Sequence, residues 1–134
     1  MKTIYFIGIG GISMSGIAKI FLKKGWRVLG SDVKENEEIK ELKKRGAKIF
    51  LTQKPQNITP QIDLVVFTSA ANNPQAPGFS EIQKAKKLKL PVLKRSEIIG
   101  QLMQDYFGIS VAGTHGKTTT TAMLGYALKK MGEN

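Results

Sequence analysis

Two glycine-bounded segments hold residues whose types and spacing suit phosphate chemistry. One is Gly8-Ile9-Gly10-Gly11-Ile12-Ser13-Met14-Ser15-Gly16, near the start of the 134-residue chain. The other is Val111-Ala112-Gly113-Thr114-His115-Gly116-Lys117-Thr118-Thr119, near its end. Glycines admit close backbone approach, and the first N–H groups of a following helix offer donors and positive potential to an anion. In the later segment Lys117 would reach the β- and γ-phosphates of ATP, and the Thr118 hydroxyl would ligate Mg²⁺. Gly113, Thr114, His115, Gly116 and Thr119 would complete the cradle. Lys117 and Thr118 are therefore the candidate catalytic residues, acting by electrostatic stabilisation of a transferring phosphoryl group. Val111 replaces the first glycine of the full G-x-x-x-x-G-K-[ST] pattern. His115 is the sole histidine. Its place inside the loop favours positioning or a nucleotide contact over proton transfer.

In the earlier segment Gly8 and Gly10 permit a tight turn and approach to a diphosphate. Ser13 replaces the third glycine of the dinucleotide fingerprint, and Gly11 is an extra one. Asp32 follows about 20 positions later, as a ribose-binding acid does in such folds. It fits the ribose of NAD or of a uridine diphosphate equally well. Asp32 also reads as an N-cap for a helix starting near Lys34.

Positioning these residues requires strands that end, and helices that begin, at the loops. Short apolar runs alternate with helical periodicity, the pattern of an α/β fold with a parallel sheet and crossover helices. Strands are expected at 4–9, 26–30, 47–51, 62–67 and 91–93. Helices are expected at 12–24, 35–45, 79–89 and 96–104, with Gly46 closing the second. Residues 52–60 and 72–78 read as turn-rich connections. A boundary falls near 105–107. It separates a Rossmann-like domain, 1–106, from 107–134, the strand (109–112), P-loop and helix (117–131) that start a truncated ATP-binding domain.

Hydrophobic residues make up 41 % of the chain, as in a soluble globular protein. No apolar run approaches the roughly 18 residues of a membrane span, so no membrane insertion is expected. The N-terminus enters a strand without signal-peptide features, and the absence of cysteine excludes disulfides and thiolate metal sites. A cytoplasmic location follows as the expectation. The net charge of +11 raises the question of nucleic acid. However, the lysines are scattered over helical segments and no aromatics interleave with them. The expectation is solvated helix faces that favour anionic ligands, with no nucleic-acid partner.

The first loop, Gly30-Ser31-Asp32, Thr68-Ser69-Ala70, Asn73-Pro74, Pro91 with Arg95, and the run Gly113 to Thr121 together resemble the N-terminal part of the Mur ligases. The resemblance covers essentially the whole chain. It implies a three-domain enzyme whose Rossmann-like first domain binds the UDP of UDP-N-acetylmuramate. The central domain would bind ATP and Mg²⁺, and the third would help bind the amino acid, L-alanine in the branch these motifs match. Such enzymes phosphorylate the muramoyl carboxylate and let an amine attack the acyl phosphate.

Carried onto this chain, the resemblance implies that Gly8, Gly10, Gly11, Ser13, Met14 and Ser15 surround the diphosphate. Asp32 would contact the uridine ribose, with Ser31 also on the substrate. Thr68, Ser69 and Ala70 would lie beside the nucleoside. Arg95 would steady substrate or the domain junction, or else be a surface arginine. Gln53 stands where the family has a histidine in a His-x-Pro-x-Asn context. The chain alone is expected to be inactive, because further ligands of the ATP site would lie downstream. Strand 109–112, lacking its sheet neighbours, is expected to dock or to pair between molecules. A ligase that attaches a recycled peptide to the same sugar nucleotide, and an NAD(H)-binding redox or sensor domain, remain as alternatives.

Overall fold

The run Ile4-Tyr5-Phe6-Ile7 is inaccessible to solvent at every position, so it must be covered on both faces. It forms most of β1 (Thr3–Ile7), the middle strand of a five-stranded parallel sheet. The computed structural model of the chain describes residues 1–107, with side chains described through 103. The elements that follow are α1 (Ile12–Lys23), β2 (Arg27–Ser31), α2 (Glu37–Lys44), β3 (Lys48–Phe50), β4 (Leu64–Phe67), α3 (Phe79–Lys87), β5 (Val92–Lys94) and α4 (Arg95–Phe107). Single 3₁₀ turns occur at Pro55–Asn57 and Ser69–Ala71.

The strand order is β3-β2-β1-β4-β5. The chain steps outward from β1 to β3, then returns to the other side of β1 and steps outward again. The connections leaving β1 and β4 therefore diverge, which opens a crevice at the C-terminal ends of these strands, where doubly wound folds bind ligands. Alternation along β1 separates two cores. Ile4 and Phe6 join Met14, Ile17, Ile39, Leu42, Ile98 and Leu102 beneath α1, α2 and α4. Tyr5 and Ile7 join Ile58, Ile62, Val65, Phe67, Ile82 and Ala85 beneath α3.

All five strands and four helices expected for residues 1–107 are present, with shifted ends. β1 stops at Ile7 because Gly8 adopts φ +88, a left-handed conformation that breaks the extended run. Ile9 then turns back into the core. α2 starts at Glu37, and its N-cap is Asn36, whose side chain accepts from the Ile39 N–H at 2.9 Å. The capping role read for Asp32 is thus corrected: four residues separate it from the helix, and its carboxylate is engaged elsewhere. α4 begins at Arg95 and continues to Phe107, through the segment assigned to the domain boundary. It follows β5 with no intervening residue, and Glu97 Oε1 accepts from the Lys94 N–H at 2.9 Å across that junction. The strand at 109–112, the helix at 117–131 and the contact through residues 109–112 lie outside the described residues.

Candidate functional site

Three successive amides after β1 are held by the end of β2. The N–H groups of Gly8 and Ile9 donate to the Ser31 carbonyl at 2.9 and 3.0 Å. The Gly10 N–H donates to Asp32 Oδ2 at 2.8 Å, while Oδ1 accepts from the Val33 N–H at 2.8 Å. Asn36 Nδ2 donates to the Gly10 carbonyl at 2.9 Å. Packing explains why Gly10 carries no side chain. A Cβ there would lie 2.7 Å from Asp32 Oδ2 and 3.0 Å from Ile39 Cδ1.

Past this bracing the backbone is open. The Gly11 N–H turns in to the Gly8 carbonyl at 3.3 Å, and the Ser15 N–H to the Gly11 carbonyl at 2.8 Å. The N–H groups of Ile12, Ser13 and Met14 have no partner among the described residues, as expected for the first turn of a helix without a capping side chain. Gly11 and Ile12 are exposed, so solutes reach this turn. Unpaired N–H groups at the positive end of a 12-residue helix offer donors and favourable potential to an anion.

Thr68 brings the β4 connection against this loop. A Cβ on Gly8 would lie 3.1 Å from both Cγ2 and Oγ1 of Thr68. Thr68 is half-buried, and Ser69 and Ala70 are exposed beside it. The structure therefore gathers Gly8, Gly10, Gly11, Ser13, Asp32, Thr68, Ser69 and Ala70 at one crevice. The side chains of Met14 and Ser15 are buried, with Ser15 Oγ donating to the Ile12 carbonyl, so the Met14 contribution to the crevice is its amide. Arg95 is exposed at the start of α4, two strand spacings, or about 10 Å, across the sheet from β1. Gly113, Thr114, His115, Gly116, Lys117, Thr118 and Thr119 lie outside the described residues, and with them the ATP and Mg²⁺ site. Among the described residues no cluster of three or more His, Cys, Asp or Glu side chains could hold a metal ion.

Ser31 turns its hydroxyl away from the crevice, to a residue that sequence reasoning missed. Glu81, in the first turn of α3, is fully buried. Its Oε1 accepts from Ser31 Oγ at 2.5 Å, and its Oε2 accepts from Tyr5 Oη at 2.5 Å and from Asn57 Nδ2 at 2.9 Å. Gln53 Nε2 donates to Ser31 Oγ at 3.3 Å. Burial pushes the Glu81 carboxyl above the usual carboxylate range, against the opposing pull of the Ser31, Tyr5 and Asn57 hydrogen bonds. The Tyr5 hydroxyl is raised too, first by burial and then by the Glu81 charge. A faint signal existed: Glu81 shares a helical face with Ala85 and Leu88, at i+4 and i+7.

A five-stranded parallel sheet with helices on both faces and a glycine turn after its middle strand defines a Rossmann-like α/β domain. The family profile described as "Mur ligase family, catalytic domain" matches residues 3–107, and the chain belongs to the Mur ligase family. UDP-N-acetylmuramate–L-alanine ligase of Clostridium kluyveri is 50 % identical over 124 residues, covering 92 % of this chain and 26 % of that protein. The ligase of the same name from Aquifex aeolicus is 46 % identical over 132 residues, covering 98 % and 28 %. The chain thus spans about a quarter of the length of these curated relatives. The crystal structure of UDP-N-acetylmuramate–alanine ligase from Thermotoga maritima superposes with a TM-score of 0.67 at 30 % identity, covering 79 % of this chain and 24 % of that one. A ligase from Neisseria meningitides, which joins L-alanyl-γ-D-glutamyl-meso-diaminopimelate to UDP-N-acetylmuramate, gives a TM-score of 0.63 at 25 % identity, covering 79 % and 31 %.

Proposed function

We propose that this chain is the UDP-N-acetylmuramate-binding part of an ATP-dependent ligase that adds L-alanine to UDP-N-acetylmuramate in peptidoglycan synthesis. The observation that carries the reading is the free first turn of α1, whose Ile12, Ser13 and Met14 amides face the same crevice as Asp32 and Thr68. An anion of two phosphates matches that donor set, and the family and its L-alanine-adding relatives supply the sugar nucleotide. Here the diphosphate lies on the α1 amides and the uridine side lies toward Asp32 and Thr68–Ala70. Asp32 holds Gly10 in the free protein, so its second role toward a ribose hydroxyl uses the remaining lone pairs of the same carboxylate.

In the complete ligase ATP would phosphorylate the muramoyl carboxylate, and the amine of L-alanine would displace phosphate from the acyl phosphate. Lys117 and Thr118 are assigned to the ATP and Mg²⁺ side, with Gly113, Thr114, His115, Gly116 and Thr119. A binding domain at 1–106 followed by the start of an ATP-binding domain at 107–134 is part of the same proposal, as is a cytoplasmic setting. No helix among the described residues is long and apolar enough to cross a membrane.

Calorimetric titration of the 134-residue chain tests the binding role. Saturable heats with UDP-N-acetylmuramate and UDP, and none with NADH, are the expected result. Binding of NADH with no response to either uridine nucleotide would replace this reading with that of a redox or sensor domain.

A further inference from the structure

Between the crevice and the core beneath α3 runs one continuous hydrogen-bonded path. Its outer end is the set of three loop amides, Gly8, Ile9 and Gly10, held by Ser31 and Asp32. Its inner end is Glu81, held by Tyr5 from β1 and by Asn57 from the 3₁₀ turn before β4. Ser31 is the shared link. Its carbonyl faces the loop and its hydroxyl faces Glu81, and it is itself fully buried. We propose that Glu81 is a positioning residue for the anion site: by clamping the Ser31 side chain it fixes the Ser31 carbonyl and Asp32, and through them the glycine loop that aims the α1 amides.

The clamp is built from directional parts. A carboxylate is the one side-chain group of this size that accepts at both ends and donates at neither, and here all three side-chain partners point their donors at it. Gln53 Nε2 occupies a second site on Ser31 Oγ, so the hydroxyl hydrogen is left to point at Glu81. Replacing one carboxylate oxygen by an amide NH₂ turns a donor toward a donor and breaks one side of the clamp. Ile9 anchors the middle of the loop in the core, but the amides of Gly8, Ile9 and Gly10 take their direction from Ser31 and Asp32.

The inference rests on the reading of the crevice as a uridine-diphosphate site, and UDP alone serves as the probe. Glu81→Gln keeps side-chain volume and is compared with the parent chain by calorimetry and by thermal melting. The expected result is affinity for UDP weakened about tenfold, in line with loss of a charged hydrogen bond that acts at one remove. Amide resonances of Gly8, Ile9 and Gly10 are expected to shift in the unliganded variant. Ser31→Ala cuts the same path while sparing the carbonyl and the fold. It is expected to weaken UDP to a similar degree and to be non-additive with Glu81→Gln. If both variants bind UDP within twofold of the parent, with the three amide resonances unmoved, the clamp plays no part in the site, whatever happens to the melting temperature. If the parent chain itself fails to bind UDP, it is the functional reading that falls.

Discussion

The two faces of the sheet treat polar groups in opposite ways at the same level of β1. On the α1 side, Ile12, Ser13 and Met14 leave N–H groups unpaired beside exposed backbone. On the α3 side, a few residues away, Glu81, Tyr5, Ser31 and Asn57 are buried and mutually paired, and no buried side-chain polar atom lacks a partner among the described residues. Unpaired donors are tolerable where water reaches them and are costly where it does not. The contrast separates an open, solvent-facing turn from a closed polar cluster whose groups satisfy one another.

Substitutions sharpen this contrast, starting with the buried side. Glu81→Ala removes the common acceptor of the Tyr5 and Ser31 hydroxyls and of one Asn57 N–H, while Asn57 Nδ2 keeps the Thr52 carbonyl. It should destabilise the chain by on the order of 4 kcal/mol, several unsatisfied groups at once, as read by urea unfolding. A loss below about 1 kcal/mol would mean that the cluster is hydrated and loosely held. Glu81 also gives the scaffold a pH signature. With its pKa raised in the folded state, the folded chain binds more protons than the unfolded one at pH values above the ordinary carboxylate range. Its contribution is therefore fully present at low pH and declines as pH rises through that window. Subtracting the pH–stability curve of Glu81→Gln from that of the parent should leave a difference of this slope, and a difference that instead grows with pH would reverse the assignment.

On the open side, Gly8→Ala places a side chain at φ +88 and against Thr68, and should lose about 2 kcal/mol together with UDP binding. Asp32→Asn retains one acceptor for two backbone donors. A loss of about 1 kcal/mol is expected, with a fall in UDP affinity that calorimetry would register. Gly11→Ala is the mildest. The backbone there is ordinary, with φ −66 and ψ 150, and a Cβ meets nothing closer than the Gly8 carbonyl at 3.7 Å. Stability should stay within about 0.5 kcal/mol. If Gly11→Ala destabilised as much as Gly8→Ala, the open side would be part of the scaffold after all.

The sheet was legible because each strand is a short apolar run and each helix repeats its apolar residues every three or four positions. Ends were harder. The run through Ile9 looks like uninterrupted strand, yet Gly8 ends it, since nothing in the residue types says which glycine takes the left-handed conformation. Asp32 was found as the acid at the right distance from the first loop, but its partners, Gly10 and Val33, become visible in the folded chain alone. Asn36, one residue beyond the expected start of α2 at 35, was the better cap. Glu81 escaped notice because it introduces a helix carrying Lys84, Lys86 and Lys87, where an acid ordinarily belongs to the solvated face. Only the packing of α3 against β4, β5 and the 3₁₀ turn at Pro55–Asn57 turns it inward, toward Tyr5 and Ser31.

The junction at Lys94 and Arg95 has a mechanical consequence. β5 is three residues long, bonds to β4 along one edge, and passes into α4 with no slack between them. Helix and edge strand therefore behave as one rigid handle. Because α4 also buries Ile98 and Leu102 against Ile4 and Phe6 of β1, a displacement of this handle is passed to the middle of the sheet as well as to its rim.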